Sequence, residues 1–247
     1  MANNYNNNMS KNIISEKVAD QIKENGVKSK FIIRGKALTD RQKRFAELAT
    51  HEDTKVMFVS GPSGSTKTYM AVYSALQCLK FDNELELLYV RTAIESADKG
   101  LGALPGTLEE KINPYMVPLE DKLTELLPHN NTLRGELLNS GRISAMPINF
   151  LRGASWEDKI VIADESQNFT FKELVTLITR IGENTKLFIC GDTMQSDIGH
   201  KSGFSDMYSI FNDQESALKG IHCFGFKESD ILRSKILKYI IKKIKNV

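Results

Sequence analysis

Eight residues, Gly61-Pro62-Ser63-Gly64-Ser65-Thr66-Lys67-Thr68, follow directly on the apolar run Val56-Met57-Phe58-Val59-Ser60 and lead directly into the helix-forming Tyr69-Met70-Ala71-Val72. In a loop between a strand and a helix, successive backbone N–H groups and the positive helix end face a polyphosphate. Lys67 then reaches the terminal phosphates and the Thr68 hydroxyl is a ligand for Mg2+. The pattern predicts a site for ATP or GTP in which all eight residues, with Tyr69, bind the nucleotide. Glycine usually stands directly before the lysine, and here that position is Thr66. Gly64 is expected to supply the close backbone approach, so the exchange bears on affinity more than on binding itself.

A second apolar run, Ile160-Val161-Ile162-Ala163, ends in Asp164-Glu165-Ser166-Gln167-Asn168. Parallel strands deliver their C-terminal residues to the ligand crevice. Asp164 is placed to hold Mg2+ through water opposite Thr68, and Glu165 to orient and deprotonate an attacking water. A third run, Leu187-Phe188-Ile189-Cys190, ends in Gly191-Asp192-Thr193-Met194-Gln195-Ser196-Asp197. Gln195 carries the donor and the acceptor needed to touch both a γ-phosphate and the lytic water, which suits a sensor. Gly-Asp after a strand is also an ordinary turn.

These loops need a scaffold that brings strand ends together. Strand-like segments at 56–60, 85–90, 143–148, 160–163 and 187–190 alternate with helical patterns near 67–80, 107–127 and 171–181. A further helix is predicted from a Thr39 cap through Phe45 and Leu48. The alternation predicts an α/β fold with a mostly parallel sheet flanked by helices on both faces. Residues 92–118, with Gly100, Gly102, Pro105, Gly106 and Pro114, read as an insertion over the sheet edge. The stretch from Ser229 to Val247 sets Ile231, Leu232, Ile236, Leu237, Ile240, Ile241 and Ile244 against lysines, as an amphipathic helix does.

The domain is expected to span 37–247. Residues 1–36 read as a flexible N-terminal segment, asparagine-rich and then basic, with a short helix around 13–22 and an extended 31–33. The basic part suits a nucleic-acid arm or, more commonly, a solvated flank. The chain has 247 residues, with 33 Lys and Arg against 31 Asp and Glu, so no global field marks a nucleic acid or a membrane as partner. Cys78, Cys190 and Cys223 are far apart and odd in number, which disfavours a disulfide framework and a zinc ribbon. The sequence has neither an apolar run of about 20 residues nor the pattern of a secretory signal, and a cytoplasmic location is expected.

Several blocks in order resemble the PhoH family, ATPases related to the nucleotide core of superfamily 1 helicases. They are the three loops above, Arg91-Thr92-Ala93-Ile94-Glu95, Gly102-Ala103-Leu104-Pro105-Gly106, Glu110-Lys111-Ile112-Asn113-Pro114-Tyr115 and Phe150-Leu151-Arg152-Gly153. The resemblance covers about residues 37–240 and implies a RecA-like core. Gln42 is similar to the glutamine that reads the adenine edge, which favours ATP. Arg91 and Thr92 resemble a segment that contacts single-stranded nucleic acid, and Arg152 does likewise or lines a subunit boundary. Arg233 resembles a late arginine that acts as a finger on transition-state charge, within its subunit or on a neighbour. The family implies a homo-oligomer, a hexameric ring, and RNA or single-stranded DNA as partner. The leading expectation is a Mg2+-dependent ATP hydrolase coupled to nucleic acid. A non-catalytic nucleotide switch is the alternative and a small-molecule kinase the weaker one. With room for a single core domain, helicase-like activity is expected only in an oligomeric ring whose neighbouring subunits supply the second gripping surface.

Overall fold

The computed structural model describes residues 32–35, 37–92, 108–151 and 155–230, with only the backbone course of 108–112. Expectations for the N-terminal segment up to 31, for 93–107, for Arg152, for Arg233 and for the basic helix after Asp230 lie outside these residues. The fold belongs to the compact unit Ile33–Val247.

Six parallel strands form one sheet: β1 (Val56–Ser60), β2 (Glu86–Arg91), β3 (Ile143–Pro147), β4 (Lys159–Ala163), β5 (Lys186–Gly191) and β6 (Ile221–Gly225). Their order is β3-β2-β4-β5-β1-β6. Register sets Ser60 beside Gly191, Ala163 beside Ile189 and Val90 beside Ala163, so the tips of β1, β5, β4 and β2 end along one edge. This is the expected α/β architecture, a parallel sheet flanked by helices.

Strands buried on both faces read as continuous apolar runs instead of alternating ones. One face presents Phe58, Val90, Val161 and Ile189 to Leu174 and Leu177 of helix α5 (Phe171–Ile178) and to Phe204 and Met207 of α6 (Phe204–Ile210). The alternate set, including Met57, Tyr89, Ile162 and Phe188, is equally buried. Helix α2 (Lys67–Phe81) contacts β2, β4 and β5. Helix α1 (Asp40–Thr50) packs on α2. Each such side chain contributes roughly 1.5–3 kcal/mol on burial.

The start of α1 is fixed by the Thr39 cap. The Thr39 hydroxyl accepts from the Gln42 backbone N–H while the Gln42 side chain accepts from the Thr39 N–H. Phe45 then meets Phe224 of β6 edge-on at 5.2 Å. Helix α3 (Leu108–Leu126) continues through Pro114 and Pro118, residues that the sequence places at the end of a loop-like insertion. Each proline removes one helical hydrogen bond. Leu119, Leu123 and Leu126 are buried, and this packing outweighs the loss. Two further helices, α4 (Asn131–Asn139) and α7 (Gln214–Leu218), start on the side-chain caps Asn130 and Asp213.

Along the opposite edge, where strands begin, two cations bind backbone. The Arg142 guanidinium donates to the carbonyls of Leu79, Asp82 and Leu85 at 2.9–3.4 Å, tying the end of α2 to the start of β3. Lys186 Nζ donates to the carbonyls of His51 at 2.6 Å and Thr54 at 2.8 Å, just past the end of α1. Among the described residues no helix is long and apolar enough to cross a membrane.

Candidate nucleotide site

The loop after β1 owes its shape to two residues in the left-handed region, Gly64 at φ 76° and Thr66 at φ 70°. Thr66 is the non-glycine exception there, and its hydroxyl accepts from Gln42 Nε2 at 2.9 Å. Gln42 is completely buried and its carboxamide is engaged at both ends, by Thr39 and by Thr66. It braces the cradle from behind and is absent from the cavity lining. Gly61 is required by space, because a Cβ there would lie 2.7 Å from Ser65 Oγ and 2.9 Å from Phe226 Cβ. Lys67 Nζ donates to the carbonyls of Gly61 at 2.7 Å and Pro62 at 3.2 Å, so the loop holds its own cation close to its carbonyls.

Asp164, at the tip of β4, is 5% exposed. Thr68 Oγ1 donates to its Oδ1 at 2.7 Å, across 96 positions of sequence, and the Tyr89 hydroxyl donates to Oδ2. Burial, with the Asp164 charge as second cause, pushes the Tyr89 phenol far above its ordinary range, so it stays a donor. Paired hydroxyl and carboxylate oxygens of this kind fit a hard cation such as Mg2+, which takes few protein ligands and completes its shell with phosphate oxygens and water. Among the described residues no group of three or more His, Cys, Asp or Glu could hold a metal by itself.

Glu165 also lies in the left-handed region, at φ 52°. Gln167 Nε2 donates to its Oε2 at 2.6 Å, and Arg91 Nη2 lies 3.8 Å from its Oε1. The Gln167 Oε1 in turn accepts from the Asp192 backbone N–H at 3.0 Å, so one buried side chain ties the tip of β4 to the tip of β5. Gln195 N–H donates to Asp192 O at 3.1 Å. Asn168 and Asp197 make two reciprocal bonds, at 2.7 and 2.8 Å, that further fasten the two loops.

These tips enclose a cavity of about 390 Å³, within the range of small-molecule sites. Ser63, Gly64, Thr66, Lys67, Thr68 and Tyr69 line one side. Arg91, Asp164, Glu165, Asp192 and Gln195 line the strand-tip side, and Pro118, Lys122 and Glu125 of α3 complete it. Gly61, Pro62 and Ser65 form the loop behind the lining, and Thr92 follows Arg91 half-buried. Sequence reasoning missed Tyr89, Gln167 and the α3 wall. The wall had a signal in its spacing, since positions 118, 122 and 125 share a helical face.

A model of the family described as PhoH-like protein matches residues 32–245. The PhoH-like protein of Bacillus subtilis (strain 168) is 34% identical over 197 residues, covering 79% of this chain and 60% of the relative. That of Mycobacterium tuberculosis (strain ATCC 25618 / H37Rv) is 32% identical over 213 residues, covering 84% and 58%. Protein PhoH of Escherichia coli (strain K12) is 33% identical over 190 residues, covering 75% and 51%. The chain thus spans between about half and three fifths of the length of these relatives. Among solved structures, the Pif1 helicase from Candida albicans aligns over 86% of this chain and 44% of its own, at 14% identity and a TM-score of 0.45. By the extent of the family match and by these relatives, the chain belongs to the PhoH-like protein family.

Proposed function

We propose that the chain is a Mg2+-dependent ATP hydrolase, with turnover coupled to RNA or single-stranded DNA and with activity in a homo-oligomer. The observation that carries the reading is the 2.7 Å bond from Thr68 to Asp164, inside a cavity also lined by Lys67 and Glu165. It joins the phosphate loop and the strand-tip carboxylate in one site, as hydrolysis requires.

Bound Mg2+ supplies charge neutralisation at the phosphates. Thr68 and Asp164 would hold it. Lys67 exchanges the Gly61 and Pro62 carbonyls for phosphate oxygens, which are stronger acceptors. Glu165, held by Gln167, accepts the proton of the attacking water at its carboxylate. Gln195 at the β5 tip reports on the terminal phosphate. Such a site works by positioning and charge stabilisation, with little covalent chemistry asked of the protein. The nucleic-acid and oligomer parts rest on the family resemblance, as do the roles of Thr92 and Arg152 at a polynucleotide and of Arg233 as finger, whereas Gln42, buried with both ends of its carboxamide engaged, acts on the cradle through Thr66.

Phosphate release by the purified chain tests the reading, with and without Mg2+, RNA and single-stranded DNA. Glu165→Gln is expected to lower turnover by about 10²-fold or more; unchanged turnover refutes the catalytic assignment. Indifference of binding and turnover to both polynucleotides removes the coupling. The alternative of a non-catalytic switch is favoured by Lys67 resting on its own loop and by Thr66 in a left-handed conformation. It predicts nucleotide-dependent light scattering with negligible phosphate release.

A further inference from the structure

Arg91 terminates β2, and its neighbour Val90 pairs with Ala163 of β4 while accepting from the Asp164 N–H at 2.9 Å. Arg91 and Glu165 therefore project from adjacent strand tips, and both line the cavity that holds Lys67 and Thr68. Family resemblance assigns Arg91 to a polynucleotide, yet its side chain is only 20% exposed and lies within the nucleotide cavity.

Two features mark this guanidinium as incompletely engaged. Its contact to Glu165 Oε1 is 3.8 Å, well beyond the 2.7–2.9 Å of a charge-assisted hydrogen bond. Its Nε is buried and has no hydrogen-bond partner among the described residues. A buried unmet donor is costly, and a planar fork of donors matches a phosphate better than a single distant carboxylate oxygen. Glu165 is restrained on its other oxygen by Gln167 and sits on a backbone in the sparsely populated left-handed region. Such strain gathers at sites with more than one working arrangement.

We propose that Arg91 is a positioning residue that responds to the terminal phosphate. Without nucleotide it restrains the Glu165 carboxylate, and a triphosphate seated on the loop competes for the same guanidinium and releases Glu165 to engage water. The inference rests on the reading of the cavity as a triphosphate site, and it assigns the group that recognises the third phosphate.

Competition of this kind has a thermodynamic signature that is independent of turnover. Binding of a non-hydrolysable ATP analogue and of ADP, each with Mg2+, is measured by calorimetry for the wild-type chain, Arg91→Gln, Arg91→Lys, Glu165→Gln and the double variant Arg91→Gln/Glu165→Gln. Arg91→Gln is expected to weaken the analogue about tenfold and ADP less than about twofold, with partial recovery in Arg91→Lys. Glu165→Gln should tighten the analogue, and by about threefold more when Arg91 is present than in the Arg91→Gln background. Equal losses for analogue and ADP overturn the proposal, because they describe a structural role. So does a tightening by Glu165→Gln that is the same or larger without Arg91, or a loss confined to oligonucleotide affinity. Unchanged turnover in Glu165→Gln would instead sink the hydrolase reading while leaving this binding cycle to be judged by itself. No binding of either nucleotide by the wild-type chain removes both.

Discussion

The two edges of the sheet treat their cations differently. At the edge where strands begin, Arg142 makes bonds to three backbone carbonyls and Lys186 to two, and each closes the end of a helix. At the edge where strands end, Lys67 rests on carbonyls of its own loop, and Arg91 faces Glu165 at 3.8 Å with a buried donor unmet. Backbone conformation does not follow this division, because positive φ occurs at Thr66 and Glu165 on the second edge and at Asp158 and Asn184 on the first. The first edge is complete without a ligand, whereas the second has groups arranged for something that is not protein.

That contrast is most strongly tested by exchanging the consequences of losing each cation. Arg142→Met should lower unfolding free energy by about 2–3 kcal/mol in urea titrations while turnover per folded molecule stays unchanged. Lys67→Met should do the reverse, lowering turnover by about 10³-fold with stability within about 0.5 kcal/mol of wild type. A smaller effect is expected at Thr66. Thr66→Ala keeps the left-handed backbone and loses the bond to Gln42, costing about 1 kcal/mol. Thr66→Gly loses the same bond but relieves the backbone by a similar amount, so its unfolding midpoint should barely move. Equal losses in the two variants would show that the φ of 70° carries no strain.

The smallest effect concerns pH. Burial holds the Lys186 ammonium below its ordinary value of 10.5. Between that lowered value and 10.5 the unfolded chain binds more protons at this site, so its contribution to stability rises with pH. Wild type should therefore gain stability relative to Lys186→Met as pH climbs through that window, measured by urea titrations at successive pH values. A flat difference would mean that Lys186 titrates normally.

Much of this arrangement is legible in the residues because parallel strands advertise themselves. The runs ending at Ser60, Ala163 and Cys190 are apolar on both faces and stop at polar loops, so strand, edge and chemistry are read together. Thr39 is legible as a cap for the same local reason. Tyr89 is not, because its hydroxyl meets Asp164 across 75 positions and the run Leu87-Leu88-Tyr89-Val90 reads only as core. Pro114 and Pro118 pull against the helical pattern read over 107–127: local rules make them loop punctuation, yet buried leucines downstream carry the helix through them. The edge strand β6 is half-buried throughout, so its hydrophobic signal is weak, and only the alternation at His222 and Cys223 hints at it.

The carboxamide shared between Thr39 and Thr66 makes the entry to α1 and the phosphate cradle one mechanical unit. A ligand that turned the Thr66 hydroxyl away would free one end of Gln42 and leave the first turn of α1 held by the Thr39 bonds alone. Conversely, a mutation at Thr39 is expected to alter the seating of Thr66 without touching the loop. Phosphate affinity and fraying of that turn are therefore expected to change together.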